Sequence, residues 1–167
     1  MQPVYVHSIA TRTPPHAYSQ EAAGEMLGGQ LEPGSTGQRL SHRIYRSSGI
    51  DQRHSVISGY LPGQGDGLFF ERESGDFLSP STGSRNDKYV AAAKPLFVDT
   101  ARAALDASGF EASAVTHLVT VSCTGFFAPG PDYYIVRDLG LRESTERYHI
   151  GFMGCFAAFP ALRMAAS

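Results

Sequence analysis

Cysteine is scarce in this chain. Cys123 and Cys155 are its two cysteines, with no CxxC pair and no histidine at metal-ligand spacing beside them. Neither a disulfide framework nor a zinc site is suggested, and the expected compartment is the reducing cytoplasm, with no bound metal. Charge of one sign is lacking too: Lys plus Arg is 14 against 16 Asp plus Glu, a net charge of −2. Such a balance gives no general field for nucleic acid or an anionic membrane, so neither is an expected partner. Long apolar runs are also missing. The longest stretch free of Asp, Glu, Lys and Arg, 112–131, contains His117, several hydroxyls and two prolines, and it is read as no membrane span. The opening residues MQPVYVHSIA carry no basic region leading into an apolar core, so no signal segment is expected. Lysine is nearly absent: Lys88 and Lys94 are the only two, and all other cations are arginine. Arginine suits bidentate phosphate contacts, although a skewed genome base composition leaves the same imprint.

What is present is a foldable composition. With 42% apolar residues, 11% aromatics and no low-complexity tract, the chain buries enough surface to order itself, and 167 residues suit one domain with a small appendage. Residues 3–10 (PVYVHSIA), ending at TRTPP, read as a first strand. A short helix over about 19–28 has Ser19 as its cap, Glu21 in its first turn and Gly28-Gly29 as its stop. In GQRLSHRIYRSSG, Leu40 and Ile44 form one stripe, Arg39, Arg43 and Arg46 another, and Gly49 marks the end.

A loop-rich excursion of about 61–86 follows, with at most a short hairpin. Its GQGDG run lacks the preceding strand and following helix of a nucleotide cradle and is read as a turn. A helix spans about Asp87 to Ser108, ended by Gly109; Pro95 either kinks it or starts a new one. The β-branched run Thr116–Val121 is expected to be a parallel strand covered on both faces. A loop SCTGFFAPGP, a helix in DYYIVRDLG, a strand around Arg147–Gly151 and the segment GFMGCFAAFPALRM complete the chain. This alternation is the pattern of an α/β layered fold, whose sites lie at the C-terminal strand ends, where both cysteines fall.

Cys155 is the sharpest chemical feature. It follows a predicted strand and opens an apolar small-residue segment, so a helix N-terminus there favours its thiolate and suits a nucleophile. A buried small hydrophobe is the alternative reading. Pro160 complicates the helix: either the regular helix begins near Phe159-Pro160 and Cys155 occupies the turn before it, or the helix kinks. A G-x-nucleophile-x-G elbow is not matched, because Met153 and Ala157 flank the position.

Together, GFMGCFAAFPALRM and VSCTGFFAPGPDYYIVRDLGL resemble the N-terminal half of type III polyketide synthases, the chalcone and stilbene synthase-like family of thiolase-fold enzymes. The match is nearest to bacterial members that make alkylresorcinols or alkylpyrones; it is dense over about 116–164 and collinear from IATRTPP onward. The resemblance implies a thiolase-like layered α/β fold, of which residues 1–167 are the N-terminal, nucleophile-bearing half. It makes Cys155 the nucleophile that takes an acyl starter from coenzyme A, after which malonyl-CoA is decarboxylated and its enolate extends the chain. It places Cys123, Phe126, Phe127 and Ala128 on the acyl pocket, Cys123 for shape rather than chemistry. Ala128 stands where plant members have Met, before a cis proline, and the smaller side chain suits a roomier pocket.

Arg43 matches an arginine that contacts coenzyme A phosphates, whereas Leu40 and Ser47 replace two lysines of the plant pattern. Arg39 and Arg46 share its face and can substitute, a solvated helix face being the alternative. The partners implied are acyl-CoA and malonyl-CoA as substrates, with no other cofactor, a second copy in a homodimer, and a C-terminal half beyond Ser167. That half brings the catalytic His and Asn. None of His7, His16, His42, His54, His117 and His149 matches the catalytic position, so the chain is expected to be inactive alone. Other thiolase-fold condensing enzymes, and a non-catalytic half that dimerises or complements a separate chain, are the alternative functions.

Overall fold

The computed structural model describes residues 3–59 and 63–166. They form two compact units, one made of 13–81 and the other of the N-terminal segment to Arg12 plus 82 onward. In the 13–81 unit, β1 (His16–Ser19) pairs antiparallel with β2 (Gln52–Ser55), His16 opposite Ser55. Between them lie α1 (Gln20–Gly29) and α2 (Thr36–Ser47). Ser19 caps α1 by accepting the Ala22 N–H at 3.0 Å, and Ser35 caps α2 by accepting the Gln38 N–H at 3.1 Å.

The two helices meet through small and polar residues. A Cβ on Gly24 falls 2.9 Å from the Tyr45 Cβ, and one on Gly28 falls 2.8 Å from the His42 ring, so glycine at one-turn spacing is what lets α1 lie against α2. Gln20, buried at the strand–helix junction, donates to the Tyr45 carbonyl at 3.2 Å and the Ser48 hydroxyl at 2.7 Å, and accepts from Arg53 Nε at 2.6 Å. Its polar atoms are satisfied, as burial demands. The Leu40 and Ile44 stripe, by contrast, stays exposed. Ser41, Gln38 and Tyr45 face inward instead, because the flat glycine face of α1 admits close approach there.

Of the loop-rich excursion, Leu61 and Pro62 lie outside the described residues. The remainder holds one antiparallel bridge, Phe70 to Phe77, with the two rings packed edge-on at 5.3 Å. Asp66 accepts the N–H groups of Leu68, Phe69 and Phe70. Glu71 accepts those of Ser74 and Glu73 at 2.7 Å each, and these bonds hold its carboxyl below the usual range. GQGDG is a turn here, with Gly67 at φ 72°. The excursion ends earlier than expected, since α3 already begins at Thr82.

In the second unit α3 (Thr82–Ser108) runs through Pro95 as one helix, so no new helix starts there. A 3-10 turn (Ala112–Ala114) leads into β3 (His117–Ser122), then α4 (Pro131–Leu139), β4 (Glu146–Gly151), a 3-10 turn (Gly154–Ala157) and α5 (Ala158–Ala165). β3 and β4 are parallel, from His117 opposite Glu146 to Ser122 opposite Gly151, with α4 as the crossover. Pro131 starts α4 and Gly140, left-handed at φ 67°, stops it. Val98, Ile135 and Leu141 form the core, joined by Phe97, Leu105, Leu118 and Leu139.

One expectation fails in this unit. Residues 3–10 form no strand: Ser8 Oγ donates to the Ala104 carbonyl at 2.7 Å and the His7 ring packs on Phe110, while Val4, Tyr5, Val6 and Ile9 stay exposed. Strand propensity yields no strand without a neighbour to complete the ladder. The parallel strand expected over Thr116–Val121 is present as β3, buried or half-buried from Leu118 to Ser122. Among the described residues β3 pairs with β4 alone, and β4 is exposed from Glu146 to His149. Among the described residues no helix is long and apolar enough to cross a membrane.

Candidate functional site

The C-terminal ends of β3 and β4 lie side by side because Ser122 pairs with Gly151. From them emerge the two segments that carry Cys123, Phe126, Phe127 and Ala128 on one side and Cys155 on the other. Both thiols are free and exposed. Arg43 belongs to the other unit.

After β4 the chain turns sharply. Phe152 adopts φ 56°, a left-handed conformation that costs a non-glycine residue about 1–2 kcal/mol, and Gly154 follows at φ 64°. Cys155 then lies in the 3-10 turn and α5 begins at Ala158, with Pro160 as its third residue, where a missing N–H costs no helical bond. The regular helix therefore starts beyond Cys155, and the thiol occupies the turn before it. Ala157, fully buried, pins this turn to the sheet, while the Phe156 and Phe159 rings lie tilted 5.8 Å apart and remain exposed. Cys155 is exposed in these 167 residues, unlike the buried small hydrophobe of the alternative reading.

The loop after β3 is held from α3. The Asn86 carboxamide donates to the Phe126 carbonyl at 2.9 Å and accepts the Phe126 N–H at 3.0 Å. One turn further, Tyr89 donates to Ser122 Oγ at 2.6 Å, lies 6.1 Å from the Phe127 ring, and covers Gly125 so closely that a Cβ there falls 2.3 Å from a ring carbon. Phe127 also packs 6.0 Å from Tyr134 of α4. The Ala128–Pro129 bond is cis, as the resemblance implies. Phe126, 62% exposed, meets Phe152 edge-on at 5.7 Å and so links the two segments.

His149, the one histidine on the strand leading to Cys155, faces Thr120, with 2.9 Å between Nδ1 and Oγ1. Among the described residues no histidine is hydrogen-bonded to the Cys155 thiol, and no group of three His, Cys, Asp or Glu is placed to hold a metal ion. The larger apolar cavity, about 920 Å³, is lined by Leu105, Phe110, Thr116, His117, Leu141 and Met164, among others. It includes the N-terminal end of β3, opposite the cysteines, where parallel sheets do not place their chemistry.

On the 13–81 unit, Arg39, His42, Arg43, Arg46 and Ser47 line a shallow groove of about 570 Å³ along α2. Arg39 is tied to the Gly34 carbonyl and to Thr36 Oγ1 at 3.2 Å. Arg43 and Arg46 are exposed and make no ion pair among the described residues. Sequence reasoning missed Asn86, Tyr89 and Phe152. Asn86 and Tyr89 share one helix face, but their loop partners lie more than thirty residues away, beyond any local pattern.

Residues 6–167 match the family model of chalcone and stilbene synthases, N-terminal domain. The chain belongs to this family. It is 34% identical over 166 residues to the alpha-pyrone synthesis polyketide synthase-like Pks18 of Mycobacterium tuberculosis, a match covering 97% of this chain and 39% of that protein. PKS-I of the brown alga Ectocarpus siliculosus superposes with a TM-score of 0.74 at 31% identity, over 99% of this chain and 44% of that one. CsyB, solved in complex with CoA-SH, superposes with a TM-score of 0.71 at 25% identity, over 95% of this chain and 39% of that one. The 167 residues thus span about two-fifths of the curated relatives they match. The thiolase-like fold of a type III polyketide synthase N-terminal half is the architecture observed.

Proposed function

We propose that this chain carries the nucleophile of a type III polyketide synthase that condenses an acyl-CoA starter with malonyl-CoA. The observation that carries the reading is the exposed Cys155 thiol on the turn after β4, beside an aromatic loop at the end of β3. In the first step the Cys155 thiolate attacks the thioester carbonyl of the starter. The new C–S bond forms as the bond to coenzyme A breaks, and the departing CoA thiolate takes up a proton. Malonyl-CoA then loses carbon dioxide, and its enolate carbon attacks the acyl-Cys155 carbonyl. A C–C bond forms and the Cys155 thiolate leaves, which sulfur does readily.

The loop residues Cys123, Phe126, Phe127 and Ala128 form one wall for the acyl chain, Ala128 leaving room that a larger side chain would fill. Arg43, with Arg46 and Arg39 beside it, receives the phosphates of the CoA substrates, with no other cofactor and no metal involved. CsyB, with its bound CoA-SH, and the polyketide synthase description of Pks18 support this reading. Proton handling and the thioester carbonyl are assigned to a His and an Asn supplied by a C-terminal half, and the exposed Phe156, Phe159 and Leu162 support association with further protein, including a second copy in a cytoplasmic homodimer.

The test is incubation of the 167-residue chain with long-chain acyl-CoA, followed by peptide mass spectrometry. Slow acylation at Cys155 is expected, without conversion of malonyl-CoA to polyketide. Turnover to polyketide by these residues alone would show that no other half is required.

A further inference from the structure

Asn86 and Tyr89 lie one turn apart near the start of α3 and touch the last residue of β3, Ser122, and three residues of the loop after it, Gly125, Phe126 and Phe127. Among the described residues, the backbone of 123–128 takes no hydrogen bond from any group other than the Asn86 carboxamide. That carboxamide reproduces both halves of a strand pairing, one donor and one acceptor, for the one residue it faces. Tyr89 adds a rigid plate over Gly125, in a space any side chain at that position would need. Its hydroxyl bond to Ser122 anchors the loop where it leaves the sheet.

We infer that Asn86 and Tyr89 are positioning residues that fix the Cys123–Ala128 loop, and through it select the length of the acyl chain presented to Cys155. The acyl-chain half of this inference rests on the proposed function; the loop half does not. A loop held by two side chains from a long helix has few conformations of its own. Releasing it lets Phe126 and Phe127 move and blurs the wall against which chain length is measured.

Two readouts on the full 167-residue chain test this. The first is alkylation of Cys123 relative to Cys155 by iodoacetamide, followed by mass spectrometry, which involves no acyl-CoA. Loss of both Phe126 bonds in Asn86→Ala is expected to change the Cys123 rate by roughly tenfold while Cys155 stays within about twofold, and Asn86→Asp, which keeps one acceptor, is expected to fall between. The second is the acyl-CoA chain-length profile of Cys155 acylation, which is expected to flatten in the order wild type, Asn86→Asp, Asn86→Ala. Tyr89→Phe keeps the plate and loses only the Ser122 bond, so it stays folded and shows a smaller change in the same sense.

An unchanged Cys123-to-Cys155 ratio in folded Asn86→Ala, or in Tyr89→Phe should the former fail to fold, overturns the inference. A changed ratio with an unchanged chain-length profile overturns the selection claim. A changed ratio together with no acylation of the wild-type chain by any acyl-CoA overturns selection with the proposed function, and leaves the loop clamp established.

Discussion

Two segments leave the same pair of parallel strands, each with an exposed cysteine, and they are held in opposite ways. The loop after β3 is fixed from outside, by the Asn86 carboxamide and the Tyr89 ring of α3. The turn after β4 is fixed by its own backbone: left-handed Phe152 and Gly154, then a 3-10 turn anchored by buried Ala157. Side-chain clamping suits a wall whose shape can be tuned. Backbone geometry suits a group whose direction has to stay constant while its surroundings vary. This difference in support fits the proposed division, shape for the Cys123 segment and chemistry for the Cys155 segment.

The sharpest way to break that division is to remove each sulfur. Cys155→Ala is expected to abolish acylation, since no other nucleophile in the account replaces the thiolate, whereas Cys123→Ala keeps it within about threefold. Mass spectrometry after acyl-CoA treatment reads both, and acyl transfer to Cys123 in place of Cys155 reverses the assignment. A smaller effect is expected from Ala128→Phe, which fills the wall: acylation by the longest chains falls roughly tenfold against short ones, a misfit of methylene size being worth ~1–3 kcal/mol. An unaltered chain-length profile removes Ala128 from the wall.

Two glycines separate the modes of support. At Gly125 the constraint is space, so Gly125→Ala is expected to cost about 1–3 kcal/mol of stability through overpacking against Tyr89, and Tyr89→Ala is expected to relieve part of that cost. At Gly154 no atom lies within 4 Å of an added Cβ and the constraint is φ alone. Gly154→Ala is expected to cost about 1 kcal/mol, with no relief from any neighbouring truncation. Thermal denaturation of the single and double variants checks both, and relief at Gly154 or its absence at Gly125 contradicts the account. The smallest effect is reserved for a residue outside both segments. Arg43→Ala is expected to raise the acyl-CoA concentration needed for half-maximal acylation by about two- to fivefold at low salt, less at high salt, and to leave acyl-pantetheine, which lacks the nucleotide, unchanged.

The helices with end signals were legible in the sequence: Ser19 caps α1, Pro131 and Gly140 bound α4, and Pro160 lies where α5 tolerates it. β3 was legible as a β-branched run and β4 was expected around Arg147–Gly151, and the cysteines at their ends followed from that. What failed depended on neighbours. PVYVHSIA has strand composition but no ladder partner among the described residues, and Leu40 and Ile44 form a stripe that α1, glycine-faced, does not cover. The Asn86 and Tyr89 clamp was invisible because its partners are distant in sequence, and the left-handed Phe152 because nothing in its side chain announces that conformation.

The central claim, that Cys155 is the acyl-accepting nucleophile and Cys123 is not, is tested most directly by tandem mass spectrometry of the chain after exposure to a long-chain acyl-CoA. The account predicts the acyl mass on the peptide containing Cys155, lost in Cys155→Ala and retained in Cys123→Ala. Acyl mass on the Cys123 peptide, or an unmodified Cys155 under conditions where iodoacetamide labels it, contradicts the account.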